Sequence, residues 1–301
     1  MPSADGEQPF RSGFVAIVGA PNVGKSTLLN QVLGQKISIT SKKPQTTRNR
    51  IVGILQRPQA QVIFVDTPGI HAATKALNVR IVEAATSALV DVDVVLLLTD
   101  ASAMAPEAER VLLAKLAQVR RPVILAINKI DLIERPRLFE QIARWDQRLK
   151  FDEIVPICAR SGEQVDRLTA AVMARLPEGP AYFPPDDLTD LPERFIVAEW
   201  IREKVFRLTG QEVPYAAAVT VDSFQEHAHK GLVEIVATIH VERASQKGII
   251  IGKKGAKLKQ IGSEARRDIE NLLQSKVFLK LFVRVQKNWS RDERALRRFG
   301  Y

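Results

Sequence analysis

The residues Gly19-Ala-Pro-Asn-Val-Gly-Lys-Ser26 match the phosphate-binding pattern G-x-x-x-x-G-K-[ST]. An apolar run at 14–18 precedes them and an amphipathic run at 28–33 follows, so the sequence predicts a strand, a loop and a helix. Glycines let such a loop curl until its N–H groups point at phosphate oxygens, at a helix N-terminus that favours anions. Lys25 is then expected to reach the β and γ phosphates of a nucleotide, and the Ser26 hydroxyl to bind Mg²⁺.

The chain around this loop alternates short apolar runs with amphipathic stretches. Strands are predicted at 14–18, 62–65, 94–98, 123–127 and 154–157, and helices at 28–33, 107–119, 138–149 and 164–176. Short β-branched runs separated by helical periods are typical of a mainly parallel sheet that is covered on both faces. The fold class predicted for residues 14–177 is therefore α/β, after an N-terminal extension at 1–13.

Residues 178–192 contain four prolines and three aspartates. Proline blocks both helix continuation and central strand pairing, so this stretch is predicted to be a linker. Beyond it, helices are predicted at 194–208 and near 257–273, and strands at 216–224, 233–241 and 277–285. These elements predict a second, smaller α+β domain over residues 193–301.

Composition and length agree with two folded units. The chain has 301 residues, and domains typically hold roughly 100 to 200. Hydrophobic residues make up 46% and charged residues 26%, which excludes a disordered chain or a coiled-coil rod. The single cysteine excludes a disulfide scaffold within the chain. The N-terminal residues lack the apolar segment of a signal peptide, and no apolar run reaches the roughly 20 residues that span a bilayer, so we expect a cytoplasmic protein.

The net charge of +10 is concentrated in one part of the chain. Residues 243–298 hold 16 basic and 5 acidic residues, whereas the rest of the chain holds 28 basic and 29 acidic residues. A basic block of this kind is the footprint expected for a polyanion partner. A solvated basic face without a partner is the alternative.

Two further tetrapeptides follow predicted strands. In Asp66-Thr-Pro-Gly69, the acid can hold Mg²⁺ through water, while the Gly69 amide can sense the γ-phosphate. In Asn128-Lys-Ile-Asp131, the last carboxylate can accept hydrogen bonds from N1–H and the exocyclic amine of guanine. Adenine offers no such pair of donors, so a buried Asp131 would be left unpaired. The sequence therefore predicts a guanine nucleotide.

Together these motifs resemble the translation-factor class of Ras-like GTPases, over residues 14 to about 176. The resemblance implies that Lys129 packs along the base and that Cys158-Ala-Arg160 forms the last guanine loop, with the Ala159 amide facing the base oxygen. Serine is common where this chain has Cys158, which we interpret as a small buried hydrophobe. The implied GTP-binding residues are Gly19, Asn22, Val23, Gly24, Lys25, Ser26, Thr27, Asp66, Gly69, Asn128, Lys129, Asp131, Cys158, Ala159 and Arg160.

The polar segment Gln45-Thr-Thr-Arg48 is predicted to be the first switch loop. One of its threonine hydroxyls would join Ser26 and Asp66 around Mg²⁺ when the γ-phosphate is present, and would leave on hydrolysis. Either Thr46 or Thr47 can fill this role, and we favour Thr47. Lys25, Thr47 and Gly69 form the expected catalytic set.

The usual water-orienting glutamine is missing. Ras-type enzymes place it directly after D-x-x-G, where this chain has Ile70, a side chain that cannot hydrogen-bond to water. The sequence resembles GTPases with such a hydrophobic substitution, in which an asparagine of the phosphate loop, here Asn22, coordinates K⁺. That resemblance implies slow basal hydrolysis that depends on Mg²⁺ and is assisted by K⁺. His71 is either a substitute base or an ordinary residue of the second switch.

The loop Gly252-Lys-Lys-Gly255 lies between the apolar run 249–251 and a predicted helix. Glycines that admit a sugar-phosphate chain beside lysines that neutralise it are what a KH module needs to bind single-stranded RNA. A basic hairpin or helix start is the alternative. Tail aromatics could stack on bases, or the tail could pack as a helix on the domain. The expected RNA-binding residues are Ile251, Gly252, Lys253, Lys254, Gly255, Lys257, Arg266, Arg294 and Arg298.

A guanine-nucleotide domain joined by a proline-rich linker to a type II KH module is similar to one family, Era. The segments that carry the resemblance are GAPNVGKSTLLN, GQKISIT, QTTRNRIVGI, DTPGI, NKID, GKKGAKLKQIG and DERALRRFGY. The resemblance implies a bacterial cytoplasmic GTPase, expected to be monomeric, that binds the 3′ end of small-subunit ribosomal RNA. It also implies a role in 30S subunit maturation and a peripheral association with the inner membrane.

Two functional hypotheses follow. In the first, the protein is a timed switch whose GTP-bound state favours RNA and whose hydrolysis step releases it. In the second, it binds RNA constitutively, and its nucleotide domain serves mainly to dock a partner or the membrane.

Overall fold

The computed structural model describes residues 9–41, 48–66, 91–210, 213–227, 229 and 231–299. The chain divides into two compact units. Of the described residues, the first unit contains 9–38, 48–66 and 91–190, and the second contains 39–41 together with the residues from 191 onward.

The first unit is built around a six-stranded sheet. Its elements are β1 (Arg11–Gly19), α1 (Lys25–Leu33), β2 (Ile51–Arg57), β3 (Ala60–Asp66), β4 (Val94–Asp100), α2 (Pro106–Leu116), β5 (Val123–Asn128), α3 (Arg135–Asp146), β6 (Glu153–Pro156) and α4 (Val165–Met173). The strand order is β2-β3-β1-β4-β5-β6, and every neighbouring pair is parallel except the antiparallel pair of β2 and β3. The predicted α/β class with a mainly parallel sheet is confirmed.

The burial of the inner strands on both faces explains why their sequences are continuous apolar runs rather than alternating apolar and polar residues. Every residue of β3 and β5 is buried, as expected for strands that are covered on both faces. Parallel strands end at one edge of a sheet, so Gly19, Asp66, Asp100 and Asn128 all come to that edge. This edge is where such sheets bind ligands.

Part of the stretch predicted as a linker lies along the open side of β2. The Ile54 N–H donates to the Leu188 carbonyl at 2.8 Å, and the Thr189 hydroxyl donates to the Val52 carbonyl at 2.6 Å. β2 is an edge strand whose outward polar groups need partners. Residues up to 190 therefore group with the first unit, although their prolines exclude regular secondary structure.

The second unit is smaller and of the α+β class. Its elements are α5 (Glu193–Leu208), β7 (Ala218–His227), β8 (Leu232–Val241), α6 (Ala244–Ile251), α7 (Ala256–Leu273), β9 (Lys276–Val285) and α8 (Glu293–Arg298). The sheet order is β7-β8-β9, in which β7 is antiparallel and β9 parallel to β8. Its core buries Ile201 of α5, Ile239 of β8 and Ile261 of α7, and Ile39 belongs to the same core.

The apolar run 249–251 forms the last turn of α6, a helix that the sequence analysis did not predict. Its three isoleucines resemble a strand segment, but Gln246 caps the helix start by accepting the N–H groups of Glu242 and Arg243, each at 3.0 Å. Among the helices that the structure describes in either unit, none is both long and apolar enough to cross a membrane.

Candidate functional site

The phosphate loop joins β1 to α1 and requires unusual backbone angles. Asn22 has a φ of 64° and Gly24 a φ of 108°, both in the left-handed region. A Cβ atom on Gly24 would lie 2.3 Å from Nδ2 of Asn128, so only glycine fits there. The close approach of this loop to the end of β5 is therefore built into the sequence.

Lys25 is buried at the start of α1 and folds back over the loop. Its Nζ donates to the carbonyls of Gly19 at 3.1 Å and Ala20 at 2.9 Å. Burial lowers the pKa of Lys25 to about 8, although the nearby charge of Asp66 acts to raise it. A phosphate beside this amine would favour its charged form, as an opposite charge does in general.

Asp66, the last residue of β3, is fully buried beside Lys25 and Ser26. Its Oδ2 atom accepts hydrogen bonds from the hydroxyls of Ser26 at 2.7 Å and Ser38 at 3.0 Å. Its Oδ1 atom is also buried but has no hydrogen-bond partner among the described residues. Burial raises the pKa of Asp66, and Lys25 and the two hydroxyls act against that rise.

These donors fit a magnesium ion held mostly by its nucleotide. Mg²⁺ prefers oxygen ligands, keeps several waters and is usually bound through one or two protein oxygens plus substrate phosphates. The Oδ1 atom of Asp66 can accept a hydrogen bond from a metal-bound water, and the Ser26 hydroxyl can ligate directly. No group of three or more acidic, histidine or cysteine side chains that could bind a metal occurs among the described residues, so a cage made only of protein is not seen there.

Ser38 is a contributor to this site that the sequence analysis missed. It is completely buried, and Asn30 of α1 fixes its backbone. Oδ1 of Asn30 accepts the Ser38 N–H at 2.9 Å, and Nδ2 donates to the Ser38 carbonyl at 2.7 Å. Nothing local marks Ser38 in the sequence, because its partner Asp66 lies 28 residues further along the chain.

Asn128 connects the end of β5 to two loops. Its Nδ2 donates to the Val23 carbonyl at 2.7 Å, and its Oδ1 accepts the Ala159 N–H at 2.9 Å. The side chain thus joins the phosphate loop to the predicted last guanine loop. It acts here as a structural brace between the two.

Lys129 follows with a left-handed φ of 66° and reaches back across the same edge. Its Nζ donates to the Asn22 carbonyl at 2.9 Å and to Oδ2 of Asp100 at 2.5 Å. Burial disfavours the charged form of Asp100, but hydrogen bonds from Lys129 and Ser102 outweigh it and lower the pKa. Asp100 is a second contributor that the sequence analysis did not single out, although it ends a predicted strand.

Asp131 lies in the 3₁₀ turn Ile130–Leu132 and is exposed, not buried as the sequence analysis assumed. The turn places its carboxylate at the surface of the loop. The buried Cys158 thiol donates to Oδ1 of Asp131 at 3.1 Å, as a serine hydroxyl could. The neighbouring Arg160 is exposed.

Several predicted residues fall outside the described part of the chain. They are the switch residues Thr46 and Thr47, the Gly69 amide, Ile70 and His71. Of the remaining predicted nucleotide residues, Thr27 lies in the first turn of α1, directly after Ser26.

The GKKG loop joins α6 to α7 in the second unit. Gly252, Lys254 and Gly255 have φ values of 71°, 50° and 79°. A Cβ atom on Gly252 would lie 2.6 Å from Cβ of Lys257, so the chain needs glycine at that position. Lys253 and Lys254 are exposed at the tip, in front of the N-terminus of an 18-residue helix. Exposed cations at such a helix start suit a phosphate.

The other predicted RNA-binding residues are spread over three helices, α6, α7 and α8. Lys257 and Arg266 lie on α7, and Arg266 is 3.9 Å from Glu270 in an exposed ion pair. In the tail, Arg294 is exposed, and Arg298 donates to Gln286 at 2.6 Å. Ile251 is partly buried at the end of α6, whereas Ile249 is 49% exposed.

The tail packs on the second unit. Trp289 is buried and donates from Nε1 to the Ala216 carbonyl at 2.9 Å. Phe299 lies against His240, with ring centroids 4.4 Å apart. Both aromatic residues that the structure describes in the tail, Trp289 and Phe299, are therefore packed, which favours the predicted alternative to base stacking.

Family comparisons match both units. The model of a family described as "50S ribosome-binding GTPase" matches residues 14–129, and the model of a family described as "KH domain" matches residues 212–290.

Curated relatives match over nearly the whole length. The protein named GTPase Era from Geobacter metallireducens is 61% identical over 295 residues, which are 98% of this chain and 99% of the relative. GTPase Era from Geotalea uraniireducens is 59% identical over 295 residues, with the same coverage of both chains.

Solved structures also match over nearly the whole length of the chain. A single-residue variant of Aquifex aeolicus Era bound to GDP·AlF₄⁻ is 41% identical, with a TM-score of 0.93 over 97% of this chain and 99% of its own. A structure of Era in complex with MgGDPNP and nucleotides 1506–1542 of 16S ribosomal RNA is 42% identical, with the same TM-score and coverage.

Proposed function

The chain belongs to the Era family of GTPases, and from that membership we propose that it binds the 3′ end of 16S ribosomal RNA as a GTP-hydrolysing switch that assists 30S subunit assembly. One observation carries this proposal: a single chain contains both sites. Asn128 joins the phosphate loop to the predicted last guanine loop, and the GKKG loop is exposed in the second unit. The solved relative with 16S nucleotides supports the choice of RNA.

The nucleotide is held by groups at the carboxyl edge of the first sheet. The phosphate loop presents its N–H groups, Lys25 supplies positive charge, and Asp131 selects guanine. Mg²⁺, when bound, neutralises charge on the β and γ phosphates and orients them for attack by water. Ser26 would ligate it, Asp66 would hold one of its waters, and Thr47 is the third protein group that we propose.

Hydrolysis is slow without help, because Ile70 cannot orient the attacking water. The Gly69 amide is proposed to sense the γ-phosphate, and Asn22 would help to hold a K⁺ ion, which would supply the charge that an arginine finger supplies elsewhere. The exposed side chain of Asn22 and the left-handed backbone at this residue leave it available at the mouth of the loop.

RNA binds at the loop formed by Gly252, Lys253, Lys254 and Gly255. Lys257, Arg266, Arg294 and Arg298 are further cations that we propose for RNA, and Ile251 offers an apolar contact. We further propose that the protein acts as a monomer in the cytoplasm, bound to the 30S subunit, with peripheral association at the inner membrane. The membrane association rests on basic charge alone, whereas the GKKG loop also suits single-stranded RNA, so we propose RNA as the main partner.

Photocrosslinking of the full chain to RNA tests the proposal. The probe is a photoreactive RNA with the 3′-terminal sequence of 16S rRNA, and peptides are mapped by mass spectrometry in the presence of a GTP analogue. We expect crosslinks within residues 249–259, at and around the GKKG loop. Crosslinks that avoid this segment altogether would overturn the placement of the RNA.

A further inference from the structure

The last strand of the second unit carries an alternating pattern that the proposed RNA loop does not use. In β9, the even-numbered positions are Lys276, Phe278, Lys280, Phe282 and Arg284. Successive side chains of a strand point to opposite faces, so these five residues share one face of the sheet. The odd positions carry the other face, where Val277 and Val283 are buried in the core.

This outer face is open around the two phenylalanines. Phe278 is 54% exposed and Phe282 42% exposed, and Lys280 lies between them with its Nζ 5.3 Å from the Phe282 ring centroid. At about 3.3 Å per residue, the two rings are roughly 13 Å apart along the strand. The far end of the face, at His240, is covered by Phe299, so the open part is the stretch around β9.

The charge of the open stretch is positive. β9 itself has three cations and no acid. Two acids lie on the neighbouring strands of the same face, and both have partners: Asp222 accepts from the hydroxyls of Thr220 and Thr238, and Glu234 is 3.6 Å from Nε2 of His227. Within the described part of the chain, Lys276, Lys280 and Arg284 are in no ion pair, so these cations are available to an anionic partner.

Resting on the proposed RNA-binding function, we propose that this face, defined by Lys276, Phe278, Lys280, Phe282 and Arg284, is a second surface for single-stranded RNA. Exposed aromatic rings on an open sheet can stack with bases, and cations between them can pair with phosphates. A protein partner fits less well, because the centres of protein interfaces are depleted of lysine and Lys280 lies between the two rings. Protection against pairing with another strand is an alternative role for the cations, because β9 is an edge strand and lysine hinders such pairing. That role does not explain the two exposed rings.

The test measures RNA affinity of the full chain by fluorescence anisotropy over a range of salt concentrations. The probe is a labelled RNA with the 3′-terminal sequence of 16S rRNA, long enough to extend beyond the GKKG loop. The double variant Phe278→Leu/Phe282→Leu keeps an apolar strand but removes both rings. Phe139→Leu is the matched control, because Phe139 is 69% exposed on α3 of the first unit. We expect the double variant to bind at least about fivefold more weakly, since stacking on an aromatic ring is worth that much or more for each base.

A second variant pair separates charge from stacking. Lys280→Gln/Arg284→Gln is expected to lower the slope of log affinity against log salt by about 1 for each charge removed.

If the double phenylalanine variant binds RNA as tightly as the control while the alanine variant of Lys253 and Lys254 binds weakly, the proposed function stands and this inference is wrong. If the unaltered protein does not bind RNA, the proposed function fails and this inference fails with it. Unchanged RNA affinity with reduced binding to intact 30S subunits would assign the face to a protein and would also overturn it.

Discussion

The two carboxylate oxygens of Asp66 have different surroundings. Oδ2 accepts from the hydroxyls of Ser26 and Ser38, whereas Oδ1 has no hydrogen-bond partner among the described residues and is proposed to accept from a metal-bound water. Because the carboxylate is fully buried, its orientation depends on these two hydrogen bonds. Ser38 is thus expected to act as a positioning residue for the proposed magnesium site.

Replacing Ser38 with alanine should raise the Mg²⁺ concentration needed to retain bound GDP. A hydrogen bond to a charged group contributes about 1.5 to 3 kcal/mol, so we expect a rise of at least about tenfold. The measurement is the release rate of a fluorescent GDP analogue over a magnesium titration. Thr169→Ala removes a buried hydroxyl from α4 and should leave the requirement unchanged. A Ser38→Ala protein of normal thermal stability with an unaltered magnesium requirement would show that Ser38 only fills space.

Replacing Asp131 with asparagine should exchange the preferred base. The amide offers a donor where the carboxylate accepted two hydrogen bonds, so xanthine fits and guanine does not. The amide oxygen can still accept from N1–H, but the hydrogen bond from the exocyclic amine is lost and two donors face each other, so GTP binding should weaken by about tenfold or more. Competition between GTP and XTP measures this, and Cys158→Ser, which keeps a donor to Asp131, is the control. Retained GTP preference in the Asp131→Asn protein would refute the base-recognition role.

The role proposed for Asn22 depends on the cation present. GTP turnover should be faster in K⁺ than in Na⁺ at matched ionic strength, because K⁺ near Asn22 would stabilise charge that develops on the phosphates. In an Asn22→Ala protein the difference between the two cations should disappear. Equal turnover of the unaltered protein in both salts would contradict the proposal.

At the scale of elements, the RNA loop is defined by its backbone as much as by its lysines. Gly252 allows the turn to pass beside Lys257, and the turn leaves Lys253 and Lys254 outside any packed surface. Their contribution to binding should therefore be electrostatic and largely independent of RNA sequence.

The double variant Lys253→Ala/Lys254→Ala should bind RNA more weakly and with a smaller dependence on salt. Each lost phosphate contact lowers the salt slope by about 1, so the slope should fall by about 2. The control is Arg120→Ala/Arg121→Ala, a neighbouring pair of exposed cations in the first unit. RNA affinity and salt slope that match those of the control would refute the loop assignment.

Most elements could be predicted from periodicity, and the exceptions have physical causes. The parallel strands β3 and β5 were predictable because burial on both faces leaves continuous apolar runs. Helix α6 was not, because its isoleucines resemble a strand and its cap, Gln246, carries no distinctive local signal. The contacts of residues 188 and 189 with β2 could not be predicted either. The prolines around them predict a linker, and they do not indicate whether that linker pairs with the edge of a sheet.

The candidate site was predictable where its chemistry is local in sequence. The phosphate loop and the N-K-x-D segment are contiguous motifs, so their residue types and spacing predict their roles. Ser38 and Asp100 act through partners 28 and 29 residues away, and no single-sequence pattern records such pairs. The exposure of Asp131 likewise depends on a turn that the motif does not specify.

At the scale of the whole molecule, charge and chemistry are divided between the two halves of the chain. The excess of positive charge lies in residues 243–298, while the remainder is nearly balanced. The residues proposed to bind nucleotide, all before residue 161, are therefore not the ones that carry the excess positive charge. A switch requires that GTP and GDP change the RNA affinity of the chain, because a ligand shifts an equilibrium only through differential binding.

The most direct test is the affinity of the full chain for 16S 3′-terminal RNA with a GTP analogue, with GDP and without nucleotide, at one salt concentration. The switch predicts the tightest binding with the GTP analogue, by at least about fivefold over GDP, the lower end of typical coupling between two sites. Equal affinities in all three states would contradict the switch and leave a constitutive RNA-binding protein.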